Sequence, residues 1–138
     1  MSKRIPEYLR AKVRERANGC CEYCLIHDSD VLFPHEPDHI IARKHRGKTR
    51  IDNLAWACYL RNHRKGSDLA SIDWRTGRIV RLFDPRRDSW ARHFRLGGPK
   101  IVPRTAIGRA TARFLQFNRE SVVEMRHELI EAKRYPRE

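Results

Sequence analysis

An α+β fold is predicted by three patterns in the chain. An apolar residue recurs every four positions near the N-terminus. Two short extended segments flank a basic loop. A Thr-Gly turn between β-branched residues is followed by capped helical stretches. At 138 residues the chain suits one domain, 1–138, with a core at residues 6–70 and a hairpin and helical extension at 71–138.

The elements follow in order. Ile5, Leu9, Val13 and Ala17 form the stripe of a first helix, with Pro6 in its first turn and Asn18-Gly19 as its left-handed stop. A cysteine-rich loop runs from Cys20 to Asp30. Residues 31–41 (VLFPHEPDHII) carry two prolines and lead into a short strand around Asp38–Ala42. Arg43–Arg50 is a basic loop turning at Gly47, Asn53–Ala57 a second short strand, and Cys58–Lys65 a short helix closed by Gly66. Residues 71–83 read as a hairpin turning at Thr76-Gly77 and broken by Asp84-Pro85. Trp90, His93 and Phe94 fit one face of a short helix or a hydrophobic plug. After the Gly97-Gly98-Pro99 break, Ile101-Val102 makes a brief strand. Thr105 caps a helix to about Phe117, and Asn118 caps a last one over Glu120–Ala132. The tail KRYPRE reads as polar and frayed. Trp56, Trp74, Trp90 and Phe94 read as core.

Charge narrows the function. The net charge is +13, and residues 39–66 hold eight Lys/Arg against one Asp, a net of +7. Such an excess suits a polyanion, because neutralising phosphates releases condensed counterions. No apolar run approaches the ~20 residues of a membrane span, and the basic N-terminus lacks the apolar run of a signal peptide. The expected setting is the cytoplasm, where Cys-x-x-Cys is a metal or redox motif rather than a disulfide framework. Here it follows a helix, not a strand, which disfavours the redox reading.

Phosphodiester hydrolysis needs a base near the attacking water, a cation with its ligands, and positive groups on the backbone. Asp38 is a hard oxygen donor suited to Mg²⁺, and neighbouring His39 titrates near neutrality. As neighbours on a strand they point to opposite faces, so their jobs can differ. Asn62 offers a neutral carbonyl oxygen from the short helix.

The text Cys21-Glu-Tyr-Cys24, Asp38-His39-Ile-Ile, Asn53-Leu and Cys58-Tyr-Leu-Arg61-Asn62-His-Arg-Lys65-Gly66 resembles the HNH (His-Asn-His) endonucleases over roughly residues 6–70. The resemblance implies a ββα-metal fold, with His39 as general base and Asp38 and Asn62 holding a divalent cation, Mg²⁺ or Mn²⁺. Asn53 would brace the loop and orient His39. Lys65 and the basic loop, with Arg43, Lys44, Arg46, Lys48, Arg50 and Arg64, would contact DNA phosphates. The stretch from FDPRRDSWARHF to TAIGRATARFLQFNR resembles the C-terminal extension of one bacterial HNH group.

One position departs from the pattern: Arg61 stands where the family has a fourth cysteine. Arginine cannot ligate zinc, so Cys21, Cys24 and Cys58 lack a partner. Either no Zn²⁺ is held stably, or His27 completes a Cys₃His set, or another solution applies. The rival functions are a catalytically inactive HNH-derived nucleic-acid-binding module, which Arg61 favours, and a structural zinc-knuckle protein with a protein partner. Monomer and homodimer both remain open.

Overall fold

The structure, a computed structural model, describes residues 4–137. Residues 1–3 and 138 of the expected domain lie outside them. The architecture is α+β, five helices and three two-stranded antiparallel sheets in these described residues. None of the described helices is long and apolar enough to cross a membrane.

Helix α1 (Glu7–Arg16) starts after Pro6, and Asn18 and Gly19 then take positive φ. Its Val13 packs, fully buried, on Leu54 and Trp56. Those two residues belong to β2 (Leu54–Ala57), which pairs with β1 (Glu36–His39) so that Asp38 lies opposite Ala55 and His39 opposite Leu54. All four β2 residues are buried because the strand is covered on both sides. Leu54 and Trp56 face α1, and Ala55 and Ala57 join the larger core. The first strand begins two residues earlier than expected and ends at His39. Beyond it Ile40 keeps only one strand-like bond, donating to the Asn53 carbonyl at 2.9 Å. The chain then bends into a single 3-10 turn at Arg43–His45. Gly47 closes that bend where a Cβ would sit 1.6 Å from the Ile41 carbonyl oxygen, so only glycine fits. Helix α2 (Tyr59–Lys65) follows Cys58 and stops at Gly66 with φ of 50°.

The extension adds the expected hairpin, β3 (Ala70–Ile72) and β4 (Ile79–Arg81), and a one-turn helix α3 (Trp90–His93). A second hairpin follows, β5 (Phe94–Gly97) with β6 (Lys100–Pro103), where only the second strand was expected. Helix α4 (Ala106–Phe114) is capped by Thr105 Oγ1, which accepts from the Gly108 amide at 3.0 Å. Helix α5 is Glu120–Glu131. Its expected cap Asn118 instead clamps β6, accepting from the Ile101 amide at 2.9 Å and donating to its carbonyl at 2.8 Å. Phe83, Phe94, Ile101, Leu115 and Phe117 pack against Cys21, Tyr23 and Ala55, so extension and N-terminal half share one core. Trp56 and Phe94 are core and Trp90 packs beside it, but Trp74 is 54% exposed.

The tail is not frayed. Tyr135 is buried and donates to the Cys24 carbonyl at 2.8 Å, while Arg134 and Arg137 pair with the buried carboxylate of Asp30 at 3.2 and 3.0 Å. Tyr135→Phe removes the donor and leaves that carbonyl unpaired. The expected cost is about 1–2 kcal/mol, read as a lower urea midpoint with an unchanged slope.

Candidate active site

The two strands and α2 bring the predicted residues to one place. Asp38, His39 and Asn62 border a cleft of about 710 Å³ that Arg4, Arg10 and Arg43 also line. Asp38 and His39, expected on opposite faces, share it because His39 is the last strand residue and the chain bends directly after.

Asp38 is buried. The Tyr23 hydroxyl donates to its Oδ2 at 3.3 Å, and the Lys65 ammonium lies 3.4 Å from the same oxygen. Burial raises its carboxyl to about 6, a shift that Lys65 and the Tyr23 bond only partly offset. Lys65 is itself buried. It donates to the backbone carbonyls of His39 and Ile40 at 3.3 and 3.0 Å, tying the end of α2 to the end of β1. Its expected phosphate contact is therefore corrected: the packing of α2 buries this ammonium against the end of β1.

His39 is half-buried and shares a hydrogen bond between Nε2 and Thr49 Oγ1 at 2.9 Å. Among the described residues its Nδ1 has no hydrogen bond. Burial, and then the charges of Arg43 and Lys65, lower its pKa, so the ring is neutral at pH 7.

Asn53 stands behind the cleft and holds the loop. Its Oδ1 accepts from the Ile41 amide at 2.9 Å, and its Nδ2 donates to the carbonyls of Ile41 and Lys48 at 3.0 and 2.9 Å. Those bonds tie the backbone on either side of the basic loop's turn, at Ile41 and Lys48. Arg43, Lys44, Arg46, Lys48 and Arg50 lie exposed along it. Arg64 is exposed too, but donates to the Phe114 carbonyl at 3.2 Å. Tyr23 and Thr49 were not foreseen. The only sequence signal for either is adjacency, Tyr23 within Cys-x-x-Cys and Thr49 within the basic loop.

The oxygen donors fit a hard divalent cation: a carboxylate destabilised by burial and an amide with no side-chain hydrogen bond among the described residues. For zinc the fit is incomplete. The sulfurs of Cys21, Cys24 and Cys58 all lie within 4.8 Å of one another, three corners that could hold an ion. His27 supplies no fourth corner. Its ring lies outside the thiol group, with Nδ1 bonded to the Ser29 hydroxyl at 2.8 Å. Arg61, one turn along α2 from Cys58, is buried with its guanidinium 5.6 Å over the Phe117 ring, and its Nε has no hydrogen-bond partner.

Residues 21–68 match the model of a protein family described as HNH endonuclease. Comparison with curated proteins and with solved structures found no match.

Proposed function

We propose that this chain hydrolyses DNA phosphodiester bonds with Mg²⁺, one strand at a time, a reading supported by the match of residues 21–68 to the HNH endonuclease family model. The observation that carries the reading is the convergence of Asp38, His39 and Asn62 on one cleft bordered by arginines. His39, through Nδ1, takes the proton of the attacking water. The water oxygen bonds to phosphorus, the bond from phosphorus to the 3′ oxygen breaks, and the leaving oxygen takes a proton from solvent water, giving 5′-phosphate and 3′-hydroxyl ends. Asp38 and Asn62 would hold the cation, which when bound offsets charge on the phosphorane and the leaving oxygen. Tyr23 and Lys65 fix Asp38, Thr49 fixes the His39 ring, and the exposed residues of the basic loop hold the backbone. One metal site implies nicking as the elementary event.

Supercoiled plasmid incubated with protein tests this. Open circles are expected with Mg²⁺ and not with EDTA. One observation favours the rival binding module: Lys65 already gives Asp38 a cationic neighbour. If that module is right, plasmid stays supercoiled while DNA binds in a salt-sensitive manner.

The pKa shifts set a pH dependence. Below about 6 Asp38 carries a proton and is lost as a ligand, and below the ordinary imidazole range His39 is protonated and lost as a base. Nicking should therefore fall as pH drops through about 6 and be level above 7. Metal and proton compete for Asp38, so more Mg²⁺ should move this limb to lower pH. The ordinary carboxyl pKa is about 3.9, so the folded state binds this proton more tightly than the unfolded. Ionising Asp38 therefore lowers stability as pH rises from about 4 to 6. A bound cation relieves that cost, and Mg²⁺ should raise the Tm more at pH 7.5 than at pH 5.

A further inference from the structure

The β3–β4 hairpin and α4 enclose a second groove, of about 850 Å³, lined by Trp74, Arg64, Arg109, Arg113 and Arg119 and by no acidic residue. Its aromatic wall is built with care. Asp73, beside Trp74, is fully buried and takes two hydrogen bonds from Arg109 at 2.8 and 2.9 Å. It also accepts from the Arg75 amide at 3.1 Å and the Thr76 hydroxyl at 2.8 Å. Backbone bonds from Asp73 to the Arg78 carbonyl and from Gly77 to the Asp73 carbonyl, both 2.8 Å, close the turn. The backbone carrying Trp74 is thus fixed to α4 while the indole stays 54% exposed.

The arginines divide by role. Arg109 is neutralised by Asp73, and Arg64 lies 5.4 Å over the Phe114 ring. Arg113 and Arg119 are exposed and, among the described residues, have no acidic partner. Phosphates alone would ask only for these cations. An exposed indole on a fixed backbone, lining the same groove, asks for a planar face, and a nucleobase offers one only when it is outside a paired stack. The groove and the candidate catalytic cleft lie on opposite sides of α2. Asn62 borders the cleft and Arg64 the groove, two residues and so roughly 200° apart around the helix.

We propose that this groove is a second DNA-binding site, which stacks an unpaired base on Trp74 and seats its phosphates on Arg113 and Arg119. The inference rests on the DNA-nuclease reading. It gives the substrate class as DNA with a single-stranded segment beside the cut, such as an overhang, flap or gap.

The test is binding in EDTA, where no cleavage occurs. An oligothymidine of about 12 nucleotides, within the span such grooves cover, is titrated against the parent, Trp74→Leu and Trp74→Phe, with a duplex of equal length alongside. Oligothymidine should quench the parent's tryptophan fluorescence. Trp74→Leu should lose the quench and bind it roughly 5- to 150-fold more weakly. It should bind duplex within about threefold of the parent, with an unchanged thermal melt. Trp74→Phe should recover most of the affinity. Equal oligothymidine affinity in Trp74→Leu and parent overturns the groove and leaves the nuclease reading standing. A parent that binds neither oligothymidine nor duplex overturns both.

Discussion

His39→Ala is expected to lower plasmid nicking by about 100- to 10,000-fold, the usual contribution of a positioned general base, while DNA affinity changes little. The split follows from the geometry. The proposed binding charge lies on the exposed residues of the 43–50 loop. The loop is pinned by Asn53 bonding the backbone of Ile41 and Lys48. His39 contributes one bond, to Thr49 Oγ1, from a half-buried position, so its removal should leave the melt nearly unchanged. Initial nicking rates at saturating Mg²⁺, with DNA affinity measured in EDTA, check the prediction. Parental rates in the variant would take the imidazole out of the reaction.

Arg61→Cys is expected to convert a three-cornered thiol cluster into a closed zinc site. Positions 58 and 61 are one helical turn apart, so a sulfur at 61 faces the same way as Cys58 Sγ, itself 3.7 Å from Cys24 Sγ. Four thiolates satisfy the tetrahedral preference of zinc. Structural zinc contributes on the order of 10 kcal/mol in small domains, so the loaded variant should melt more than about 10 °C above its chelated form. The parent, with a buried guanidinium at that corner, should lose zinc to a chelator with little change in melting. Zinc content after dialysis and melts with and without chelator read both. A variant that retains no more zinc than the parent would show that the corner is closed to metal.

Much of the N-terminal half is legible in the sequence because its signals are local. The apolar stripe and Asn18-Gly19 bound α1, and Gly66 ends α2. Asp38, His39 and Asn62 fall on the strand and helix expected for them, whereas Asn53, expected to open the second strand, ends a 3-10 turn just before it. What escapes the sequence is decided by distant partners. Asn118 has the chemistry of a cap, but pairing with both polar groups of Ile101 outcompetes the adjacent helix. Lys65 looks like one more surface cation until α2 packs and turns its ammonium onto the end of β1. Phe94 sits four residues after Trp90, as on one helix face, yet begins a strand because the chain extends after His93. His27 has ligand spacing from Cys24, but Leu25 adopts a φ of 70° and the chain carries the ring away from the thiols. The single exposed tryptophan, Trp74, depends on a buried Asp73–Arg109 pair that spans 36 residues.

The Tyr135 hydroxyl seated on the Cys24 carbonyl joins residues 111 apart in the chain. During synthesis the cysteine loop emerges first and waits for more than a hundred further residues before this bond can form. Tyr23, inside that loop, orients Asp38. The Cys24 end of the loop that carries Tyr23 therefore gains its last tie only after residue 135 has been made.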